Sequence, residues 1–416
     1  MSDAPSVRPR SRRWQASLSV LYGACALLLV IGIVRSPGEA FRASLAGLQI
    51  WWQTVFPGLL PPLMLAELLA ASGLLHALSA LCEPVTRRLF KLPGGAGWAI
   101  VFGWIAGMPA GAREAARLKD KGLVRDADMD TLLLVSHLPN PFVVVLVIGS
   151  GFLHAPAYGW AIVLGLWLSA IAAGALWARA AKPASPSVPP PPAAGEPGAL
   201  LSRLSRIVRE AREEDGRPFG KQIADAVTHA VTVLFAVGGL ILMSSVLLRM
   251  LQIAWPQADA WLAVPGIYEL HLGAYETSRS ALFASSPVHA VSLLAAVLAW
   301  TGWSGLLQAR AVIGAGTGFP WARFVSGRLL HAALALLFTF PLAYAVREGW
   351  LSGIAPAWAS LNAGDSADSN WSLPLPSGWL FLSEMALTSI ISILVFLLLA
   401  LLAALIRPRQ RPPRDR

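Results

Sequence analysis

Charged residues are scarce in this chain of 416 residues, and their scarcity excludes an ordinary soluble protein. Lys, Arg, Asp and Glu make up 13% of the sequence, whereas they make up about 25% of a typical soluble domain. Hydrophobic residues make up 56%, and the mean hydropathy is +0.59. We therefore expect most of the chain to lie inside a membrane.

Cysteine is also scarce, because the chain has only Cys25 and Cys82, and this excludes a disulfide-rich fold. Both are expected to be small apolar packing residues. The sequence lacks a His/Glu metal pattern, a Ser–Lys or paired-Asp arrangement and a nucleotide-binding motif. We therefore expect a protein that is not an enzyme and that has no catalytic residues, no metal and no cofactor.

Long apolar runs are abundant, and they predict an all-α polytopic membrane protein. A helix needs about 20 apolar residues to cross a bilayer. Runs of roughly that length are Ala16–Val34, Leu48–Leu75, Tyr158–Ala178, Ala226–Leu251, Phe324–Val346 and Gly378–Ile406. The first is expected to be a retained helix, since no clear signal-peptide cleavage site follows it. Pro57, Pro61 and Pro62 are expected to break the first half of the second run.

The net charge of +10 comes mostly from arginines at the chain ends and in a central linker, and we expect it to face anionic lipid rather than nucleic acid. The linker, Ala181–Gly198, is rich in proline and is predicted to be extended. The segment after it places Leu204, Ile207 and Val208 on one helical face. It is predicted to be either an amphipathic helix on the inner membrane surface or a solvated connector.

Two halves of the chain repeat the same order of elements, which predicts inverted repeats. The predicted divisions are 1–47 (cytoplasmic basic N-terminus and first transmembrane helix), 48–180 (repeat 1, with a hairpin at about 92–117), 181–221 (linker and surface helix), 222–406 (repeat 2, with a hairpin at about 286–312) and 407–416 (basic tail). The overlay matches GMPAGAR at Gly107–Arg113 with GWSGLLQ at Gly302–Gln308. If each is a re-entrant hairpin, each half crosses three times and the second half is inverted. The C-terminal topology stays open, because this count places the basic tail outside.

The paired breaks predict a substrate site. A re-entrant hairpin leaves backbone N–H groups unpaired at mid-membrane, and a helix N-terminus suits an anionic group. Residues expected to form these tips are Gly107, Pro109 and Gly111 in the first half, and Gly302, Gly305 and Ser304, the last as a helix cap, in the second. The competing interpretation is that both breaks are ordinary helix kinks.

These motifs resemble those of a known family. GMPAGAR, the NPF that follows it, GIYELHLG at Gly266–Gly273 and WTGWSGLLQ at Trp300–Gln308 are similar to motifs of the YlbJ-type sporulation integral membrane proteins, over roughly Leu48 to Val346. The resemblance implies a nucleoside-recognition (Gate) domain with the layout of concentrative nucleoside transporters. It also implies a multi-pass protein of the cell or forespore membrane of a spore-forming bacterium, with a role in the passage of dipicolinic acid.

The expected substrate ligands follow from the resemblance and from the chemistry of a dicarboxylate. Arg113 is the first candidate for bidentate carboxylate binding, although it fits a cytoplasm-facing position equally. Asn140, with His137, stands where the family has an Asn-x-x-Gly-Pro stretch. Glu269 is expected to structure the site or to take a proton, and Gln308 to offer a neutral hydrogen bond.

Three functions remain open at this point. The first is a dipicolinate transporter, the second a nucleoside or nucleobase transporter, and the third a non-transporting factor in spore envelope assembly. The expected partners are a small anionic or nucleoside-like substrate, membrane lipids and, by analogy with the nucleoside transporters, further copies of the chain. Arg328, at the start of a predicted span, is expected to anchor at the membrane interface.

Overall fold

A computed structural model describes residues 12–180, 199–258, 264–313 and 319–349, and the regular structure of these residues is entirely helical. This confirms the all-α class. The Pro-rich linker, the Gly318 turn, the span predicted at Gly378–Ile406 and the basic tail lie outside the described residues.

The main helices of the described residues are α1 (Arg12–Arg35), α2 (Pro37–Ala71), α3 (Leu74–Leu89), α4 (Gly97–Ala106), α5 (Ala110–Asp120), α6 (Met129–Ser136), α7 (Val143–Phe152), α8 (Pro156–Ala180), α9 (Ala199–Asp215), α10 (Phe219–Ala254), α11 (Leu270–Ser278), α12 (Ala281–Ser285), α13 (Pro287–Trp300), α14 (Gly302–Ile313) and α15 (Trp321–Arg347).

The described residues contain five helical segments that are long and apolar enough to cross a membrane, by length and composition. They are α2, α8, α10, the α13–α14 pair and α15. A sixth is obtained if α3 and the Gly94–Ala106 segment are counted together, although these two helices meet at an angle of 119°. The chain is therefore a multi-pass integral membrane protein, as its apolar runs predict.

Helix α2 passes through its prolines without a break, so the break predicted at Pro57, Pro61 and Pro62 is wrong. A π-helical turn, Trp51–Val55, lies directly before Pro57, and the Phe56 N–H donates to the Trp51 carbonyl across it. Proline has no N–H to donate and its ring crowds the preceding turn of a helix. The wider π turn gives space for this at Pro57, whereas Pro61 and Pro62 lie inside the regular α-helix. Helix α2 therefore crosses as one element and lies against α10.

The inner and outer helices differ in burial. In α8 and in the α13–α14 pair, 61% of an apolar stretch of 18 residues is buried inside the protein, whereas in both α10 and α15 only 22% of such a stretch is buried. The exposed apolar side chains of α10 and α15 are expected to contact lipid, because helices of this length and composition suit a bilayer. On the protein side of α10, the Trp51 indole Nε1 donates to the Leu234 carbonyl at 2.9 Å.

Helices α4 and α5 form a tight hairpin where the sequence predicts one. Gly103 and Gly111 face each other across it, and a Cβ at Gly111 would lie 2.8 Å from the Cα of Gly103. The Ser136 carbonyl, at the end of α6, approaches both glycines so closely that a methyl group on either would collide with it. Two glycines are therefore required because a backbone carbonyl lies between the two arms.

The hairpin predicted at about 286–312 is not a hairpin, since α13 and α14 together form one apolar span of 27 residues, Pro287–Ile313. The span is interrupted at Thr301, whose φ is +70°. In this respect it is the counterpart of α6 and α7, which are separated by the His137–Asn140 break. The overlay of Gly107 on Gly302 therefore matched a hairpin with an interrupted helix.

A second close glycine pair lies earlier in the second half. Gly266 and Gly273 are in contact, and a Cβ at Gly266 would lie 3.3 Å from the Cα of Gly273. Their spacing is close to that of Gly103 and Gly111. The glycine pair before α11 is thus similar in spacing to the pair at the α4–α5 hairpin, while the inverted-repeat relation between the two halves stays a prediction.

Helix α9 packs against the protein. The Val208 carbonyl lies beside Gly73, between α2 and α3, where a Cβ would approach it to 2.6 Å. The Arg203 guanidinium also pairs with the Glu83 carboxylate at 3.0 Å. At the junction with α10, Arg217 bonds to Asp215 at 2.6 Å and to Asp225 at 2.8 Å. Helix α9 is therefore held on the protein surface by these contacts and is not a solvated connector.

The close approach at Gly111 predicts a loss of stability on substitution. Gly111→Ala is expected to cost about 1–3 kcal/mol, because the added methyl group must displace the Ser136 carbonyl or open the hairpin. The matched control is Gly239→Ala in α10, where no atom lies within 4 Å of the added Cβ and where alanine favours the helix by up to about 1 kcal/mol. Thermal unfolding of both variants in detergent gives the comparison; equal midpoints would contradict the hairpin packing.

Candidate substrate-binding cavity

A cavity lies where the turn after α4 and the α6–α7 break meet the start of α11 and the middle of α14. Its free volume is about 50 Å³, below the range of about 300–1,000 Å³ for small-molecule sites, so the space in this structure is narrower than such a site. It is bounded by α2 and α10, by the turn after α4, by the α6–α7 break and by residues at α11 and α14. Its lining residues are Leu59, Leu63, Ala106, Met108, Pro139, Asn140, Val143, Val233, Leu234, Val237, Leu240, Glu269, Leu270, His271 and Gln308.

Three of the predicted site residues line this cavity together: Asn140 from the first half, and Glu269 and Gln308 from the second. Gly107 and Pro109 flank Met108, which also lines it. The structure therefore brings polar groups from distant parts of the sequence to one largely apolar space. Their role in binding a substrate stays a prediction.

Asn140 holds the turn and the break of the first half together. Its side-chain Nδ2 donates to the Ala106 carbonyl at 3.2 Å, and its Oδ1 accepts from the Val143 N–H at 2.6 Å. One bond satisfies the last carbonyl of α4, and the other satisfies the first N–H of α7. Gly107, with φ of +81°, packs directly against Asn140, because a Cβ there would lie 2.7 Å from that of Asn140.

Glu269 and His271 form a buried pair at the start of α11. The Glu269 Oε2 accepts from the Leu272 N–H at 2.7 Å, so Glu269 caps the helix. Its Oε1 lies 2.7 Å from the His271 Nδ1. Glu269 is 3% exposed and His271 is 6% exposed, so both groups are nearly removed from solvent. His271 stands two residues after the Glu269 picked out from the sequence, and its polarity within GIYELHLG was the available signal.

Gly302, Ser304 and Gly305 act through their backbones. The Ser304 N–H donates to the Tyr268 carbonyl at 2.9 Å, and a Cβ at Gly302 would lie 2.9 Å from that same oxygen. Ser304 is not the expected helix cap: it lies inside α14, which begins at Gly302, and its buried Oγ has no hydrogen-bond partner among the described residues. Gly302 and Ser304 place α14 against the residues that precede α11, whereas Gly305 lies beside Thr301 and Met108.

Arg113 and Gly111 lie away from the cavity. Arg113 is half-buried on α5 and is not among the lining residues, while Gly111 packs inside the hairpin. Within the described part of the chain, no arginine or lysine lines the cavity. The bidentate carboxylate contact expected for Arg113 is therefore not supported by its position.

The side chains of His137 and Arg328 connect the two halves of the chain. The His137 Nε2 donates to the Gly305 carbonyl at 3.0 Å. Arg328 is fully buried rather than at the membrane interface. Its Nη2 donates to the Leu133 carbonyl at 2.8 Å and its Nη1 to the Ala299 carbonyl at 3.5 Å. Arg328 therefore contacts the C-terminal ends of both α6 and α13, which precede the two breaks.

The chain is similar to a protein of known name. It is 26% identical over 373 residues to the sporulation integral membrane protein YlbJ of Bacillus subtilis, covering 85% of this chain and 90% of that protein. No family model and no solved structure matches the chain. The similarity confirms the resemblance carried by the motifs, while the nucleoside-recognition layout stays a prediction.

The position of Arg328 predicts that it is required for stability. Arg328→Met is expected to cost about 1–3 kcal/mol, since buried carbonyls of α6 and α13 lose a donor. The matched control is Arg249→Met, which removes a solvent-exposed ion pair with Glu39 and is expected to change the unfolding midpoint much less, because water screens exposed pairs. Thermal unfolding in detergent tests the difference. If the Arg328→Met variant unfolds at the same temperature as the Arg249→Met variant, the buried guanidinium is not required for stability.

Proposed function

We propose that this chain, like the 26% identical YlbJ, is a sporulation-associated integral membrane protein, and that it is a transporter which moves dipicolinic acid across the forespore membrane. The observation that carries the proposal is the cavity, where the turn and break of the first half meet the start of α11 and Gln308 of α14. In secondary transporters, substrate sites lie at discontinuous helices between structural repeats.

The lining of the cavity has the chemistry of a site for a small planar ligand. Leu and Val side chains of α2 and α10 supply apolar walls for an aromatic ring. The Gln308 amide faces the same space, and the Asn140 Nδ2 has a second N–H beyond the one it gives to Ala106. These donors suit the carboxylate oxygens of dipicolinate. On this proposal the protein is a carrier and not an enzyme.

A nucleoside or nucleobase is the second candidate, and the carboxylate of Glu269 favours it. A carboxylate repels an anion but accepts hydrogen bonds from sugar hydroxyls or ring N–H groups. Two amides and one carboxylate, with no lysine or arginine among the described lining residues, suit a neutral polar ligand. The two substrates are therefore to be compared directly.

Uptake into proteoliposomes that contain the purified full chain tests the proposal. Labelled dipicolinate and labelled uridine are supplied separately, and protein-free liposomes give the leak. We expect dipicolinate uptake well above the leak and a reduction of at least about tenfold in Leu240→Trp, because a bulky ring then fills the cavity. The matched control is Leu247→Trp on the same helix, since Leu247 is exposed and does not line the cavity.

The outcomes separate the candidate functions. Uptake of uridine but not of dipicolinate would show that the protein is a nucleoside transporter. Uptake of neither, by protein that keeps its thermal unfolding transition, would favour the non-transporting factor in envelope assembly. Equal loss in the Leu247→Trp and Leu240→Trp variants would mean that the cavity is not the route.

A further inference from the structure

His271, one of the residues that line the cavity, has a side-chain nitrogen without a hydrogen-bond partner among the described residues. Its side chain is more than nine-tenths buried and lines the cavity beside Glu269. Its Nδ1 is engaged by Glu269, but its Nε2 is buried and has no hydrogen-bond partner among the described residues. A buried polar atom without a partner is costly, and most such atoms in proteins are paired. The geometry therefore leaves one binding position open, at the Nε2 of His271.

The contact with Glu269 determines whether the neutral or the protonated imidazole of His271 can bind a carboxylate. The Glu269 carboxylate accepts from the Leu272 N–H and from the His271 Nδ1. A proton on Nδ1 leaves Nε2 of the neutral ring as a bare acceptor, which repels a carboxylate. When the ring is protonated, Nε2 becomes a charged donor, and a carboxylate is then its natural partner.

Glu269 is the only acidic group that lines the cavity in the described part of the chain, and no lysine or arginine lines it. The elements packed against α11 are the short turn Pro265–Ile267, which has no titratable side chain, and helices α7, α10, α12, α13 and α14. Their titratable side chains are Lys221, Asp225, His229 and Arg249 on α10, His289 on α13 and Arg310 on α14, and none of them lines the cavity. On α11 itself, Tyr275 and Glu276 also lie outside the lining. Protonated His271 is thus the one cation available to a bound anion from these elements.

We propose that His271 is a proton-dependent carboxylate-binding residue, whose protonated Nε2 donates to one carboxylate of an aromatic dicarboxylate in the cavity. The proposal rests on the transport function proposed above. One proton passes from water to the His271 imidazole when the anion binds and returns to water when the anion leaves. Glu269 balances the imidazolium charge and orients the ring. Dicarboxylate binding is therefore coupled to uptake of a proton.

The test measures dipicolinate affinity of the purified full chain in lipid nanodiscs between pH 6 and pH 9. Dipicolinate stays ionised throughout this range, because carboxyl groups titrate near pH 4. If one proton is taken up on binding, affinity falls as the pH rises, by up to about tenfold for each pH unit. His271→Gln keeps an N–H donor but does not titrate. We expect its affinity to be weaker by about tenfold at pH 6 and nearly constant to pH 9.

The matched control is His229→Gln. His229 also pairs with a glutamate, Glu67, at 3.2 Å, but neither residue lines the cavity. This variant is expected to keep the pH dependence of the unmodified protein. Uridine, a neutral ligand, provides a second comparison, since its binding requires no imidazolium.

A measurement on the unmodified chain keeps the proposal testable even if His271→Gln does not fold. Calorimetry at pH 8 in two buffers of different ionisation enthalpy counts the protons taken up with dipicolinate, and we expect a value close to one. A value near zero, or a pH dependence that survives in His271→Gln, would overturn the role of His271 and leave the transport function standing. Failure to bind dipicolinate at any pH would overturn the proposed substrate, and the role of His271 with it.

Discussion

The breaks in α6–α7 and α13–α14 depend on one constraint, which is that every backbone carbonyl at membrane depth needs a donor. A helix that ends inside a bilayer exposes its last carbonyls, and water is not there to satisfy them. At the end of α6, Arg328 donates to Leu133 and the Trp104 indole donates to Val135 at 2.7 Å. Arg328 also reaches Ala299, near the end of α13. A single buried guanidinium therefore contacts both helices just before they are interrupted.

The cavity is polar near the turns and apolar along its walls, and close backbone contacts at the turns explain this difference. The turn after α4 and the residues before α11 are held by short contacts that only glycine permits, at Gly107 against Asn140 and at Gly302 against Tyr268. Such close approach leaves little room for adjustment by side chains. The polar groups near the turns are consequently fixed by backbone geometry, and the Leu and Val walls are left to determine the shape of the space.

The sequence was sufficient to predict the class and the long spans, because apolar length is a local property, and its Gly and Pro signals marked the turn at Gly107. It did not distinguish a hairpin from an interrupted helix at Thr301–Gly302, since both require a residue in the left-handed region. What separates them is a facing pair of small residues, present at Gly103 and Gly111, and this is a tertiary property. The burial of Arg328 was missed for the same reason: an arginine near the start of a span is usually at the interface.

Helix α10 has 36 residues, which at 1.5 Å per residue gives a rod about 54 Å long, whereas the hydrocarbon core is about 30 Å thick. The helix must therefore tilt strongly or extend well into water. At its N-terminal end, Asp225 bonds to Arg217, and some turns later Val233 and Leu240 line the cavity. Because a continuous helix resists bending, the N-terminal end of α10 and the cavity wall at Val233 and Leu240 belong to one rigid rod, so the tilt of the helix and the width of the cavity are linked.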